Sequence, residues 1–230
     1  MTHLLQEQMA YYRARAQEYD EWFYRHGRYN RGEEDNTDWF AEVEAVRNAL
    51  HQPERVKSAL ELASGTGIWT TELLKQATHI TLVDASEEMH HVNRSKHPNA
   101  TNLDFQQADL FTWEPTTTYD LVFFGFWFSH VPIDRVDAFL QKVHRALKPD
   151  GRLFMVDSYY NKDLHGVHDT QPDLENHTHK RTLNDGREFE IVKIYYTTDQ
   201  LAQVLHKNGF TPTVKHSPNI IYAEARKTEQ

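Results

Sequence analysis

The sequence contains no cysteine, an absence that removes disulfides, thiolate zinc sites and thiol nucleophiles together while leaving the redox compartment unspecified. Positive charge is also scarce. Asp and Glu number 34 against 25 Lys and Arg, a formal net charge of -9, and such a surface repels phosphate backbones. Nucleic acid is therefore not expected as the main partner. Long apolar runs are missing too: nothing approaches the ~18 residues of a membrane span. The N-terminal stretch MTHLLQEQMAYYRARAQEYD is polar and charged throughout, without the apolar core of a signal peptide. A cytoplasmic protein with no membrane partner is expected, and its oligomeric state stays open.

What is present is enough for one buried core. A chain of 230 residues, 39% of them hydrophobic, suits a single α/β domain rather than two. Apolar positions recur at helical spacing over residues 4–25, and again over 37–50 with Thr37 as N-cap. From Arg55 the pattern becomes an alternation. Strands are expected at Val56–Leu62, Ile80–Asp84, Leu103–Gln107, Tyr119–Gly125 and Arg152–Val156. Helices are expected at Gly67–Gln76, Ser86–Lys96 and Ile133–Leu147, with a turn at Lys148-Pro149-Asp150-Gly151. Such alternation implies a parallel sheet with right-handed crossovers, a doubly wound α/β fold. Residues 158–190 read as a polar, His-rich, irregular insertion. A helix at Thr198–Asn208 and an antiparallel hairpin around Ser217-Pro218-Asn219 close the chain.

Ligands in these sheets bind outside the carboxyl ends of the strands, near the point where strand order reverses. The residues there form a consistent set. After the first strand comes Glu61-Leu62-Ala63-Ser64-Gly65-Thr66-Gly67, whose small residues let backbone turn tightly and approach a ligand. Asp84 ends the second strand, where a carboxylate can accept from two ribose hydroxyls. Asp109, after the third strand, suits an adenine amine. A dinucleotide fingerprint is not met, because its third glycine position is Thr70. A nicotinamide oxidoreductase is thereby disfavoured, and adenosine without pyrophosphate fits better.

The successive segments ELASGTGIWT, VDAS, QADLF, YDLVFFGF and HRALKPDGRLFMVDS resemble the motifs of the class I S-adenosylmethionine-dependent methyltransferases, in order and spacing, from about Val56 to Phe210. The resemblance implies a Rossmann-like, mostly parallel seven-stranded sheet with an antiparallel C-terminal hairpin and an N-terminal helical lid. It implies S-adenosylmethionine as cofactor and S-adenosylhomocysteine as product. By resemblance Glu61, Ala63, Ser64, Gly65 and Gly67 cradle the methionine moiety and ribose, Asp84 with Ala85 takes the ribose hydroxyls, and Met89, Asp109 and Leu110 hold the adenine. Backbone at Phe124 and Gly125 meets the methionine amino group. The family's first motif glycine is here Ala63, still small enough for binding. Tyr12 in the lid is a candidate cofactor contact through cation–π attraction to the sulfonium, or simply a packing residue.

On this reading the chain is one domain, 1–230: a helical lid at 1–50, a cofactor-binding core at 55–157, a substrate-side insertion at 158–197 and a C-terminal helix and hairpin at 198–230. The reaction expected is in-line methyl transfer to O or N of a small-molecule acceptor, without a metal. A non-catalytic module binding the same nucleosides is the alternative from another class. Phe126 and Trp127 can wall a flat acceptor. His130 can take its proton as general base, or else cap the following helix. Tyr19, Tyr159 and His165 are further acceptor contacts. The pairs His165/His168 and His177/His179 have ligand-like spacing, but in a polar loop without cysteine they read as solvated side chains. Arg181 and Arg187 suit either an anionic acceptor or surface ion pairs.

Overall fold

A computed structural model describes residues 2–52, 54–160 and 171–228. Seven strands form the central sheet: β1 (Val56–Leu62), β2 (Ala77–Asp84), β3 (Leu103–Gln107), β4 (Tyr119–Gly125), β5 (Leu147–Ser158), β8 (Phe210–His216) and β9 (Ile220–Lys227). Their order is β3-β2-β1-β4-β5-β9-β8. The first five run parallel, β9 runs antiparallel to β5, and β8, antiparallel to β9, returns to the common direction. Strand order reverses between β1 and β4, so the crevice of a doubly wound sheet lies at their carboxyl ends.

Both faces of the sheet are covered, which is why β4 reads as a continuous apolar run. Leu60, Val122, Phe124 and Met155 pack toward α6 (Ile133–Ala146) and α7 (Thr198–Lys207). Leu82, Leu121, Phe123 and Phe154 face the other way, toward α3 (Glu33–Leu50) and Leu73 of α4 (Thr70–Gln76). A one-residue step along a strand changes the face, and both faces find a partner. α5 (Glu87–Lys96) begins at Ser86, whose hydroxyl accepts from Met89 N–H.

The N-terminal helical pattern resolves into α1 (His3–Arg15) and α2 (Tyr19–Phe23). The break has a physical basis. Arg15 turns inward, its guanidinium 5.4 Å and 4.9 Å from the ring centres of Tyr11 and Tyr19. α2 is tied instead to the nucleotide loop, where Asp20 accepts from Thr66 Oγ1 and pairs with Lys96.

Several boundaries differ from expectation. α3 starts four residues before Thr37, behind Gly32 at φ +97°. Its first turn carries Glu33, Glu34 and Asp35, which favour a helix N-terminus, while Thr37 bonds back to the Glu33 carbonyl. α4 begins at Thr70 rather than Gly67, because the loop needs three more residues to turn. Lys148–Gly151 is part of β5 and forms a bulge, the register jumping from Tyr119↔Leu147 to Leu121↔Arg152. The insertion expected to be irregular contains a second, two-stranded sheet of β6 (Thr178–Thr182) and β7 (Glu188–Val192). α1 lies on that hairpin, with Gln8 and Glu7 accepting from Val192 N–H and Glu190 N–H. Among the described residues, no helix is long and apolar enough to cross a membrane.

Candidate active site

The loop between β1 and α4 makes three left-handed turns, at Ala63 (φ +54°), Gly65 (φ +51°) and Gly67 (φ +85°). Only at Gly67 is glycine also required by space, since a Cβ there would stand 2.5 Å from Asn93 Oδ1. The loop curls over the end of β2. There Asp84 Oδ2 accepts from Gly65 N–H and Oδ1 from Ser86 N–H, both at 2.9 Å. Burial raises the Asp84 pKa, and these backbone donors oppose the rise. Each carboxylate oxygen keeps a lone pair for a further donor.

A cleft of about 780 Å³ opens here. Its floor includes Ala63, Gly65, Asp84 and Gly125, its far end Asp109, Leu110 and Trp127, and its roof Met9 and Tyr12 of α1. At the far end Asp109 Oδ1 accepts from Phe111 N–H at 2.9 Å, leaving Oδ2 for another donor.

The near end continues into a smaller compartment bounded by Glu61, Ser64, Trp69 and Gly125. Glu61 is 2% exposed and accepts from Thr70 Oγ1 at 2.6 Å. Burial pushes its pKa up to about 8. The Ser64 hydroxyl and Trp69 Nε1 are buried there without a hydrogen-bond partner. Orphaned polar atoms of this kind call for a polar ligand. Gly125 is needed for closeness, because a Cβ would lie 2.8 Å from Trp69 Cδ1. A long cleft with two carboxylates along it and an unsatisfied polar end fits an adenosine joined to an amino acid.

Tyr12, Tyr19 and Phe126 also line a second cleft, of about 730 Å³, on the other side of α1. Its chemistry is different. Arg15, Arg25, Arg31, Arg181 and Lys193 converge on it with His130 and His179, against Trp22 and Trp39. Lys193 is buried, bonded to Ser129 Oγ at 2.8 Å and paired with Asp157 at 3.5 Å. Burial lowers its pKa to about 8 despite the Asp157 carboxylate. Phe126, at φ +54°, turns the chain sharply between the two clefts, a strained non-glycine conformation of the kind found at functional sites.

Most of the residues expected at the cofactor are brought together. Tyr12, Ala63, Gly65, Asp84, Ala85, Met89, Asp109, Leu110 and Gly125 share the first cleft, and Glu61 and Ser64 share the compartment beside it. Gly67 acts through the turn. Phe124 is fully buried in the core and presents only backbone. The acceptor-side set is redistributed. Tyr19 and Phe126 stand at the junction, but Trp127 lines the nucleoside cleft against Phe111, because the left-handed turn at Phe126 swings it there. Tyr159 lines neither cleft and stacks on His216 at 4.2 Å. His165 and His168 lie outside the described residues. Arg187 pairs with Asp185 on the surface, whereas Arg181 reaches the second cleft.

His130 is placed differently from a free base. Its Nδ1 lies 2.6 Å from the Val192 carbonyl, which can only accept, so Nδ1 carries the proton. Nε2 then accepts from the Tyr12 hydroxyl at 2.8 Å. Burial, and next the Lys193 charge, hold the ring well below its usual pKa and therefore neutral. Arg15, Arg25, Arg31, Lys193 and Asn219 had no local motif to announce them, as each reaches the cleft from a different segment. Among the described residues, no group of three or more His, Asp or Glu is arranged to hold a metal.

The glycine loop, the paired carboxylates and the strand order define a class. The chain belongs to the class I S-adenosylmethionine-dependent methyltransferases, and S-adenosylmethionine is its cofactor. A methyltransferase domain model matches residues 59–151. Over the whole chain it is similar to DhpI in two solved structures. It is 34% identical to the DhpI-SAH complex, covering 100% of both chains with a TM-score of 0.79. To the DhpI-SAM-HEP complex it is 35% identical, covering 98% of this chain and 99% of that one, with a TM-score of 0.81. Among curated proteins, phosphoethanolamine N-methyltransferase 1 of Zea mays is 29% identical over 109 residues, 46% of this chain but 22% of that enzyme. The chain thus spans less than a quarter of that relative's length.

Proposed function

We propose that this methyltransferase acts on an oxygen of a small oxyanion, of the phosphate, phosphonate or carboxylate type, held in the cationic cleft. One observation carries the reading: a cluster of four arginines and a lysine faces a cleft that shares the walls Tyr12, Tyr19 and Phe126 with the nucleoside cleft. Five cations in a chain of net charge -9 are not a solvated surface, and the neighbouring complex containing SAM also contains a third component, HEP.

Bound S-adenosylmethionine supplies an activated methyl group, so the acceptor oxygen attacks its carbon as the C–S bond breaks and the electron pair returns to sulfur. Arg15, Arg181 and Lys193 fix the oxyanion opposite the junction, which supplies alignment. Trp22, Trp39 and Phe126 exclude water from one side. An anionic oxygen needs no general base, which suits a His130 whose Nε2 is already engaged. No step requires a metal. Methylation removes one negative charge from the acceptor, weakening its hold on the cations and favouring release.

The test is calorimetric titration of the S-adenosylhomocysteine complex with inorganic phosphate, a simple alkylphosphonate and acetate. Binding that falls at least tenfold in Lys193→Met and in Arg181→Leu is expected. Failure of all three anions to bind, with amines or neutral phenols serving as methyl acceptors instead, would refute it.

A further inference from the structure

The Glu61 carboxyl is held from behind, by side chains that do not line its compartment. Thr70 Oγ1 donates to Glu61 Oε2 at 2.6 Å, and the same hydroxyl oxygen accepts from Asn93 Nδ2 at 3.0 Å. Asn93 stands on α5, fully buried, and the direction of its amide is fixed from the other side. Burial lowers the His97 pKa, so its ring is neutral at pH 7. His97 Nδ1 lies 2.9 Å from the Asn93 main-chain carbonyl, which can only accept, so Nδ1 carries the proton. The same N–H faces Asn93 Oδ1 at 3.0 Å, which turns the amide NH2 toward Thr70. His97 Nε2 is left to accept from Thr71 Oγ1 at 3.0 Å. From His97 to Glu61 every donor therefore points the same way. The Asn93 amide is also the group that a Cβ at Gly67 would strike, so one side chain of α5 supports both the glycine loop and Glu61.

We infer that Asn93 and Thr70 are positioning residues for Glu61, a hydrogen-bond chain from α5 that keeps Oε2 an acceptor and leaves Oε1 as the oxygen that meets the amino group of the cofactor. A threonine in a helix has two accessible rotamers, because its hydroxyl can also bond a carbonyl one turn back. The Asn93 donor removes that freedom by holding Oγ1 between amide and carboxylate. With Oε2 occupied by a donor, the carboxyl proton of the free protein resides on Oε1, and its departure on binding leaves an anion already aligned. Donors in series polarise one another. The chain thus favours the carboxylate against burial and the Asp84 charge, which oppose it. Of the other titratable groups around Glu61, Tyr19 lines the same compartment, while Asp20 bonds Thr66 and pairs with Lys96.

The test is 13C NMR titration of the free protein carrying glutamate labelled at the carboxyl carbon, the Glu61 signal being the one missing from Glu61→Gln. Each hydrogen bond to a carboxylate lowers its pKa by about one unit. The Glu61 midpoint, near 8 in the wild type, is expected about one unit higher in Thr70→Val and unchanged in Thr70→Ser, which keeps the hydroxyl. Asn93→Leu is expected to move it in the same direction by a smaller amount, and to add nothing in the Thr70→Val background. S-adenosylhomocysteine affinity at pH 7 is expected to fall about tenfold in Thr70→Val, in step with the midpoint. A midpoint left in place by Thr70→Val or by Asn93→Leu would overturn the inference. So would an Asn93→Leu shift that persists undiminished in Thr70→Val, which would make Asn93 a prop of the glycine loop alone. No acceptor is present in these measurements, so this inference and the oxyanion reading fail separately.

Discussion

Glu61 offers a quantitative handle on cofactor binding. In the free protein its carboxyl is buried, has one hydroxyl donor and is pushed up to about 8, so at pH 7 it is about 90% protonated. A methionine ammonium placed in the compartment that Glu61 lines would favour the carboxylate, and binding would then release the proton. At pH 7 the expected release is about 0.9 proton per nucleoside bound. Apparent affinity then follows the ionised fraction of free Glu61, rising with pH and levelling above 8. Between pH 6 and 8 that fraction changes from ~1% to ~50%, a gain of about 50-fold in affinity, or about 2.3 kcal/mol. The assay is calorimetry of S-adenosylhomocysteine binding at pH 7 in buffers of differing ionisation enthalpy, the slope giving the protons released. Glu61→Gln should bind with no pH dependence over this range and no release. Affinity flat from pH 6 to 8 in the wild type, with no proton released, would refute the reasoning.

Other outcomes are expected from the same geometry. Asp84→Ala should weaken S-adenosylhomocysteine about 10- to 100-fold in calorimetry, as charged hydrogen bonds are worth about 1.5–3 kcal/mol. Gly125→Ala should lose at least tenfold in that assay and also lower the melting temperature, since the added Cβ would stand 2.8 Å from Trp69 and 3.3 Å from Phe123, both buried in the core. Raising pH through about 8 should remove the Lys193 charge and raise the KM for the acceptor, a dependence that Lys193→Met abolishes in a steady-state pH profile. His90 is buried with neither ring nitrogen hydrogen-bonded, Glu87 Oε2 lying 3.9 Å from Nδ1, and burial lowers its pKa from 6.5 to about 4. The folded state therefore resists protonation. Stability should be indifferent to this group above pH 6.5 and should fall by about 1.4 kcal/mol per pH unit between 6.5 and 4, a loss that denaturant melts of His90→Phe should not show.

The parallel core and the gathering of the strand-end residues around one cleft were legible because both obey local rules. A strand buried on two faces reads as YDLVFFG, and the cleft-lining residues of the core follow on strand ends, so sequence order gives spatial order. The hairpin β6–β7 was missed because its strands, THKRT and EFEIV, are five residues each and carry charge at four of their ten positions. Its burial comes from α1 lying across it, a tertiary effect with no local signature. The cationic cleft was illegible for a related reason. Arg15, Arg25, Arg31, Arg181 and Lys193 come from α1, the loops around α2, β6 and the end of β7, and nothing in their spacing joins them. Trp127 and Tyr159 stand away from the second cleft because adjacency in sequence says nothing about which way the chain turns, and at Phe126 it turns left-handed.

The sheet's carboxyl edge and the loops that follow its strands supply most of the lining of the first cleft, while the cationic cleft is made mostly from segments laid on top of the sheet. Replacing the hairpin, or recharging the loop after α2, would alter what is methylated without disturbing a single residue of the glycine loop or its carboxylates. New acceptors can therefore be explored by changing the cover alone, with the donor machinery inherited intact. In this architecture, substrate choice and cofactor choice are separately mutable, and only the three aromatic residues of the shared wall are answerable to both.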